Sequence, residues 1–260
     1  MMIRITRSLH SGFVCSCLFF VLGIAAIGPA STYETVSVID GGSVKGKVRF
    51  IGSPPDPSLF RLDRYPDHVY CGALSDGSGY RLLREVLVDS GGGLKDVIVT
   101  VEGVTRGKPF PLQETTLEVN ICQFVPYVSV MRNDRPLIVN NIDSVSHDLQ
   151  VYERDRDHVL IMFHRPALTK GGTQDRIHFT GDRRGVIMQC GMHPSMQGHG
   201  LAVDNPYYAV TASDGSFDIS DLPAGTYRIR AWHPTLGEQE KKITIAAGEN
   251  SSADFIFKAK

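Results

Sequence analysis

The sequence is short of several things that would mark a function class. It has almost no net charge: 27 Lys and Arg face 28 Asp and Glu, for a formal charge of −1. That removes the electrostatic case for nucleic acid or an anionic membrane surface as a partner. It has no C-x-x-C-H run, which excludes a c-type haem. The glycine cluster Ser90-Gly91-Gly92-Gly93 leads into the alternating Asp96-Val97-Ile98-Val99-Thr100-Val101, not into a helix, so it reads as a turn before a strand and not as a phosphate loop. No long stretch repeats apolar residues at helical spacing, and a helical bundle is excluded with it.

Cysteine is scarce, with five in 260 residues, and its placement is informative. Arg4 and Arg7 precede the apolar run from Phe13 to Ile27, and Gly28-Pro29-Ala30 supplies small residues behind it. This is the order of a secretory signal peptide, so residues 1–30 are expected to leave on export to the periplasm or outside the cell. An uncleaved N-terminal anchor is the alternative, the run being a little short of a membrane span. The mature chain has no other reason to meet a membrane. Cys15 and Cys17 go with the signal, leaving Cys71, Cys122 and Cys190. An odd count in an oxidising compartment implies one unpaired thiol or an intermolecular bridge. If Cys71 pairs with Cys122, the thiol left over is Cys190, and burial or a metal would have to protect it from oxidation.

What is present is a chain of short strands. Val44–Phe50 and Asp96–Val101 alternate apolar and polar residues as half-buried strands do. Further strands are expected at 116–121, 127–131, 136–140, 148–152, 185–190 and 207–212. Asp214-Gly215 punctuates a hairpin, Pro223 and Gly225 introduce a strand over 226–232, and two more follow at 242–246 and 253–257. Residues 154–176, charged and interrupted by Pro166 and Gly171-Gly172, read as a long loop, and Glu153–Asp157 as a solvated face. The fold class is all-β, a sandwich architecture.

One loop carries chemistry. CGMHPSM, Cys190 to Met196, places a thiol, an imidazole and a thioether in seven residues at the end of a strand. Two imidazoles, one thiolate and a weak axial thioether suit both oxidation states of copper. Cys190, His193 and Met196 supply three of these, and His147, at the end of an earlier strand, is the natural fourth. Pro194 restricts the turn and removes a backbone donor. Other centres fit less well. A binuclear copper site needs a second cysteine in the loop, structural zinc does not favour methionine, and a cysteine hydrolase rarely takes its base three residues away on the same loop. His199 is off this spacing and is expected in the following turn; His158, His164, His178 and His233 are read as structural.

Two resemblances sharpen the reading. GGSVKGKVRF, LKDVIVTVEG and DGSFDISDLPAGTYRIRAWHPTLG resemble the two halves of the carboxypeptidase regulatory-like, transthyretin-like β-sandwich family. These halves lie about ninety residues apart, which implies a discontinuous domain over 36–112 plus 206–260 with a second domain inserted at 113–205; insertion is tolerated at exposed turns. One continuous large sandwich is the alternative. Between the halves, CQFVPYVSVMRNDRPLIVNNIDSVSH and the CGMHPSM loop resemble the cupredoxins of the plastocyanin and amicyanin type. That resemblance implies a Greek-key β-sandwich, one type 1 copper ion on His147, Cys190, His193 and Met196, and single-electron transfer rather than catalysis. It also implies a redox protein partner, such as a cytochrome or dehydrogenase, with His193 near the surface as the electron exit. The chain departs from that pattern at Asp148, where cupredoxins often carry Asn, at Tyr127, and at Asp182-Arg183-Arg184-Gly185. The competing function is a non-redox β-sandwich module for a partner or carbohydrate, with copper absent or merely stored.

Overall fold

The computed structural model describes residues 33–75, 79–111, 114–154, 159–179 and 185–259. The signal segment 1–30, His158 and the turn residues Asp182 to Arg184 lie outside the described residues. Residues 32–260 form one compact unit, within which two large apolar clusters sit between two pairs of sheets. The only α-helix among the described residues is the single turn His68–Cys71, so the all-β expectation is met. No helix among them is long and apolar enough to cross a membrane.

The first pair of sheets uses the two ends of the chain. One sheet runs Tyr208–Val210, Ile98–Glu102, Gly225–His233, Gly237–Ile245; the other runs Ser216–Leu222, Gly42–Ile51, then Asn250–Ser252 and Phe255–Lys258. The inward residues of these strands, Val44, Val48, Val99, Ile229 and Phe255 among them, make one apolar core. The Asp214-Gly215 turn is real: Gly215 sits at φ 77° and its carbonyl receives the Val48 N–H at 2.8 Å. A side chain at Gly215 would meet the Val48 carbonyl at 2.2 Å, so glycine is required there.

The second pair uses the middle of the chain. A four-stranded sheet runs Gly171–Ile177, Arg135–Asn141, Thr115–Val119, Phe124–Val125, and a five-stranded sheet runs Val159–Leu168, His147–Arg154, Gly185–Cys190, Gln197–Ala202, Val128–Met131. His147–Arg154, up to its exposed last residue, and Gly185–Cys190 alternate between buried and half-buried positions. Their antiparallel register sets Leu149 opposite Cys190, which brings the end of the histidine strand beside the end of the cysteine strand.

Three expectations are corrected here. Residues 154–176 are not a long loop: Val159–Leu168 and Gly171–Ile177 are strands. Both lie at sheet edges, where a proline costs no ladder hydrogen bond. The register shift between His147 and Leu149 takes up Pro166 and Ala167, the latter at φ 55°, as a bulge. Glu153, expected in a solvated run, is 2% exposed on the inner face of the histidine strand; Asp155 to Asp157 lie outside the described residues. His199 is not in a turn but in the Gln197–Ala202 strand, paired with Val128 and Ile187.

Candidate metal centre

The loop after the cysteine strand is closed by its own backbone. Cys190 N–H donates to the Met196 carbonyl at 3.3 Å, and Met196 N–H to the His193 carbonyl at 2.8 Å. It is tied to the histidine strand by Gly191 N–H to the Asp148 carbonyl at 2.9 Å and by Asp148 N–H to Cys190 Sγ at 3.3 Å. The tie that a side-chain amide would make at position 148 is thus made by backbone. The Asp148 carboxylate turns outward, accepting from Gln150 Nε2 at 3.0 Å and pairing with His164.

These ties converge three donor atoms. His147 Nδ1 and His193 Nδ1 are 3.1 Å apart, and Cys190 Sγ lies 3.8 Å from the first and 3.5 Å from the second. All three residues are buried, as is Met196, which packs in the same apolar cluster as Cys190. The structure therefore brings together three of the four sequence-selected donors, with Met196 in the same apolar cluster as Cys190. Of the other histidines, His164 pairs with Asp148, His178 with Asp134 at 2.8 Å, and buried His233 accepts the Thr235 and Leu236 N–H groups at 3.2 and 3.3 Å, while His158 lies outside the described residues.

Both imidazoles have a carboxylate at the far nitrogen. Asp143, fully buried, takes a hydrogen bond from His147 Nε2 at 2.9 Å. It also accepts the Ile121 and Cys122 N–H groups at 2.6 and 2.9 Å and the Tyr70 hydroxyl at 3.0 Å. With the proton on Nε2, the lone pair of His147 Nδ1 faces His193 and Cys190. Asp67 Oδ2 lies 3.3 Å from His193 Nε2, within ion-pair reach but not aligned as a hydrogen bond. Sequence reasoning passed over both aspartates. Only the four-residue spacing of Asp143 from His147 could have flagged one of them, and Asp67 comes from a remote segment.

That segment is a strap over the site. Ser58–Arg61 and Tyr80–Leu83 pair as a hairpin, with the short helix His68–Cys71 between them. Cys71 and Cys122 form a disulfide, which leaves Cys190 as the one free thiol among the described residues, and it is buried. A ring nitrogen of His193 and both disulfide sulfurs lie within 4.8 Å of one another. His193 is 2% exposed. The expectation that His193 lies near the surface is therefore corrected: it is buried, with Asp67 of the strap beside its Nε2.

Burial dominates the electrostatics. It lowers the pKa of His147 against the opposing pull of Asp143, keeping the ring neutral and its lone pair free. It raises the pKa of Cys190 against backbone hydrogen bonds that favour the thiolate. The result without a cation is a neutral His147 packed against a protonated thiol. A metal ion reverses that balance by deprotonating the thiol outright.

Residues 200–258 match the model of the carboxypeptidase regulatory-like domain. No curated protein sequence matches the chain. Among solved structures, a purple cupredoxin from Nitrosopumilus maritimus is 17% identical over 34% of this chain and 99% of its own, at a TM-score of 0.29. Amicyanin from Paracoccus versutus is 12% identical over 40% of this chain and 97% of its own, also at 0.29. A copper-containing nitrite reductase from Thermus scotoductus is 18% identical over 37% of this chain and 24% of its own, again at 0.29. At TM-scores this low these likenesses add nothing to the site, which rests on its own geometry.

Proposed function

We propose that the chain binds one copper ion as a type 1 centre through His147, Cys190, His193 and Met196, and serves outside the cytoplasm as a single-electron carrier between redox proteins. The observation that carries this reading is the Nδ1, Nδ1, Sγ triangle with sides of 3.1, 3.5 and 3.8 Å. An ion about 2.0 Å from nitrogen and about 2.3 Å from sulfur leaves donors roughly 3–4 Å apart. Copper supplies the one-electron chemistry when bound.

The chain's own residues do the rest. Asp143 holds the His147 ring in one tautomer and orientation, the outer support that ligating histidines need. Asp148 N–H aims at Cys190 Sγ and supports its charge. The loop bonds from Cys190 to Met196 and from Met196 to His193 fix the donors on backbone, so little has to move between oxidation states. Four buried donors leave no open position for a substrate, which favours electron transfer over turnover.

The test is to add Cu(II) to the purified metal-free protein and record the absorption spectrum. One equivalent is expected to produce an intense blue band that bleaches on reduction and is missing in Cys190→Ala. A colourless complex, or a band that survives Cys190→Ala, overturns the reading and leaves storage or a non-redox module.

A further inference from the structure

A cavity of about 320 Å³ lies against the back of the 190–196 loop, between that loop and the strand Tyr80–Leu83 of the strap. Its size falls at the small end of pockets that hold small molecules. Arg81, Ser195, Met196, Phe124, Leu74 and Leu82 are among the residues that line it. Three features set it apart from a mere surface groove.

The first is Arg81, which is only 8% exposed. Its Nη1 donates to the Cys122 carbonyl at 2.9 Å, and among the described residues no carboxylate pairs with it. Burial pulls its pKa down, and among the described residues no acidic group opposes it. A guanidinium so placed is largely withdrawn from water with no counter-charge among the described residues, and it offers a planar fork suited to a carboxylate. The second is Ser195, 6% exposed, whose Oγ has no hydrogen-bond partner. A buried hydroxyl without a partner carries a desolvation cost that an incoming acceptor would offset. The third is the mouth, where Leu74 and Leu82 are each about half exposed, at 49% and 50%. Arg84 and Glu85 at the rim carry opposite charges and cancel, so the buried Arg81 sets the sign inside.

We infer that this cavity is a binding site for a small amphiphilic monocarboxylate, its head group on Arg81 and Ser195 and its hydrocarbon body against Phe124, Leu74, Leu82 and the Met196 side chain. The site is independent of the proposed metal: Arg81 and Ser195 are in place in the chain by itself. It nevertheless places a ligand directly against a residue of the metal-binding loop.

Isothermal titration of the full mature chain, metal-free, with four probes tests this. Hexanoate carries head and tail, hexanamide a neutral head, acetate no tail, and sulfate an inorganic charge. Hexanoate is expected to bind one equivalent saturably, with each of the others at least tenfold weaker. Arg81→Gln should weaken hexanoate at least tenfold and Ser195→Ala about threefold. Should Arg81→Gln not fold, nuclear Overhauser contacts in the unaltered protein decide: the hexanoate chain should touch the Met196 methyl and the Leu82 methyls. Absence of saturable hexanoate binding, equal binding of hexanamide, acetate or sulfate, no loss in Arg81→Gln, or no contact to Met196 each overturns the inference.

Discussion

Asp143 Oδ2 receives the Nε2 proton of His147, four residues on at the start of the next strand, at 2.9 Å and out of water. The same carboxylate gathers two backbone N–H groups and the Tyr70 hydroxyl. It therefore does two jobs at once: it fixes a donor ring, and it joins the strap to the sandwich.

Asp143→Ala should reveal both. Four donors lose their acceptor in a buried place, which costs about 3 kcal/mol of stability, read as a lower urea midpoint of the metal-free protein. Copper affinity should fall about 10–100-fold, as for other residues that support a ligating histidine. Asp143→Asn keeps the shape and part of the hydrogen bonding and should recover part of the stability. Unchanged stability in Asp143→Ala would show that the hub carries nothing.

The strap gives a second prediction. The Cys71–Cys122 bridge closes a loop across a separation of 51 residues, and its removal should cost about 4 kcal/mol in the chain-entropy picture. In the double variant Cys71→Ser, Cys122→Ser, the strap that covers His193 loses its anchor. Cys190 of the metal-free protein should then react with a maleimide at least tenfold faster than in the parent. Equal labelling rates would mean that the rest of the sandwich, and not the strap, seals the site.

A third prediction concerns pH. Burial pulls both His199 and His233 down to about 4, with Arg154 adding to the first and His199 to the second. Their folded values lie below the unfolded value, so the unfolded chain binds more protons as pH falls from 6.5 toward 4. Stability is accordingly full above about pH 6.5 and declines below it, by on the order of 3 kcal/mol per histidine once both states are protonated. Urea unfolding of the metal-free protein at pH 7, 5.5 and 4 checks this. His233→Phe and His199→Phe should flatten the profile. A profile that stays steep in both variants would place the sensitivity elsewhere.

Much of the framework was legible in the residues. Strands were expected at 148–152 and 185–190, where the structure has His147–Arg154 and Gly185–Cys190, and their adjoining ends set the donor residues side by side. Val159–Leu168 was missed because its proline and flanking charge were read as loop signals, while an edge position with a bulge makes both harmless. His199 was misplaced because a turn was expected right after the donor loop, where a strand in fact resumes at Gln197. The covering of His193 was not legible at all. It depends on Asp67 and Cys71, over a hundred residues away, in a stretch with one turn of helix and no regular apolar pattern. Tertiary placement decides such contacts, and local pattern carries no trace of it.

X-ray absorption at the copper edge, on the copper-loaded protein in both oxidation states, bears most directly on the central claim. The account predicts one sulfur at about 2.2–2.3 Å and two imidazole nitrogens at about 2.0 Å, with the same donors in the oxidised and reduced forms. A copper shell of nitrogen and oxygen alone, or one that exchanges donors on reduction, would contradict it.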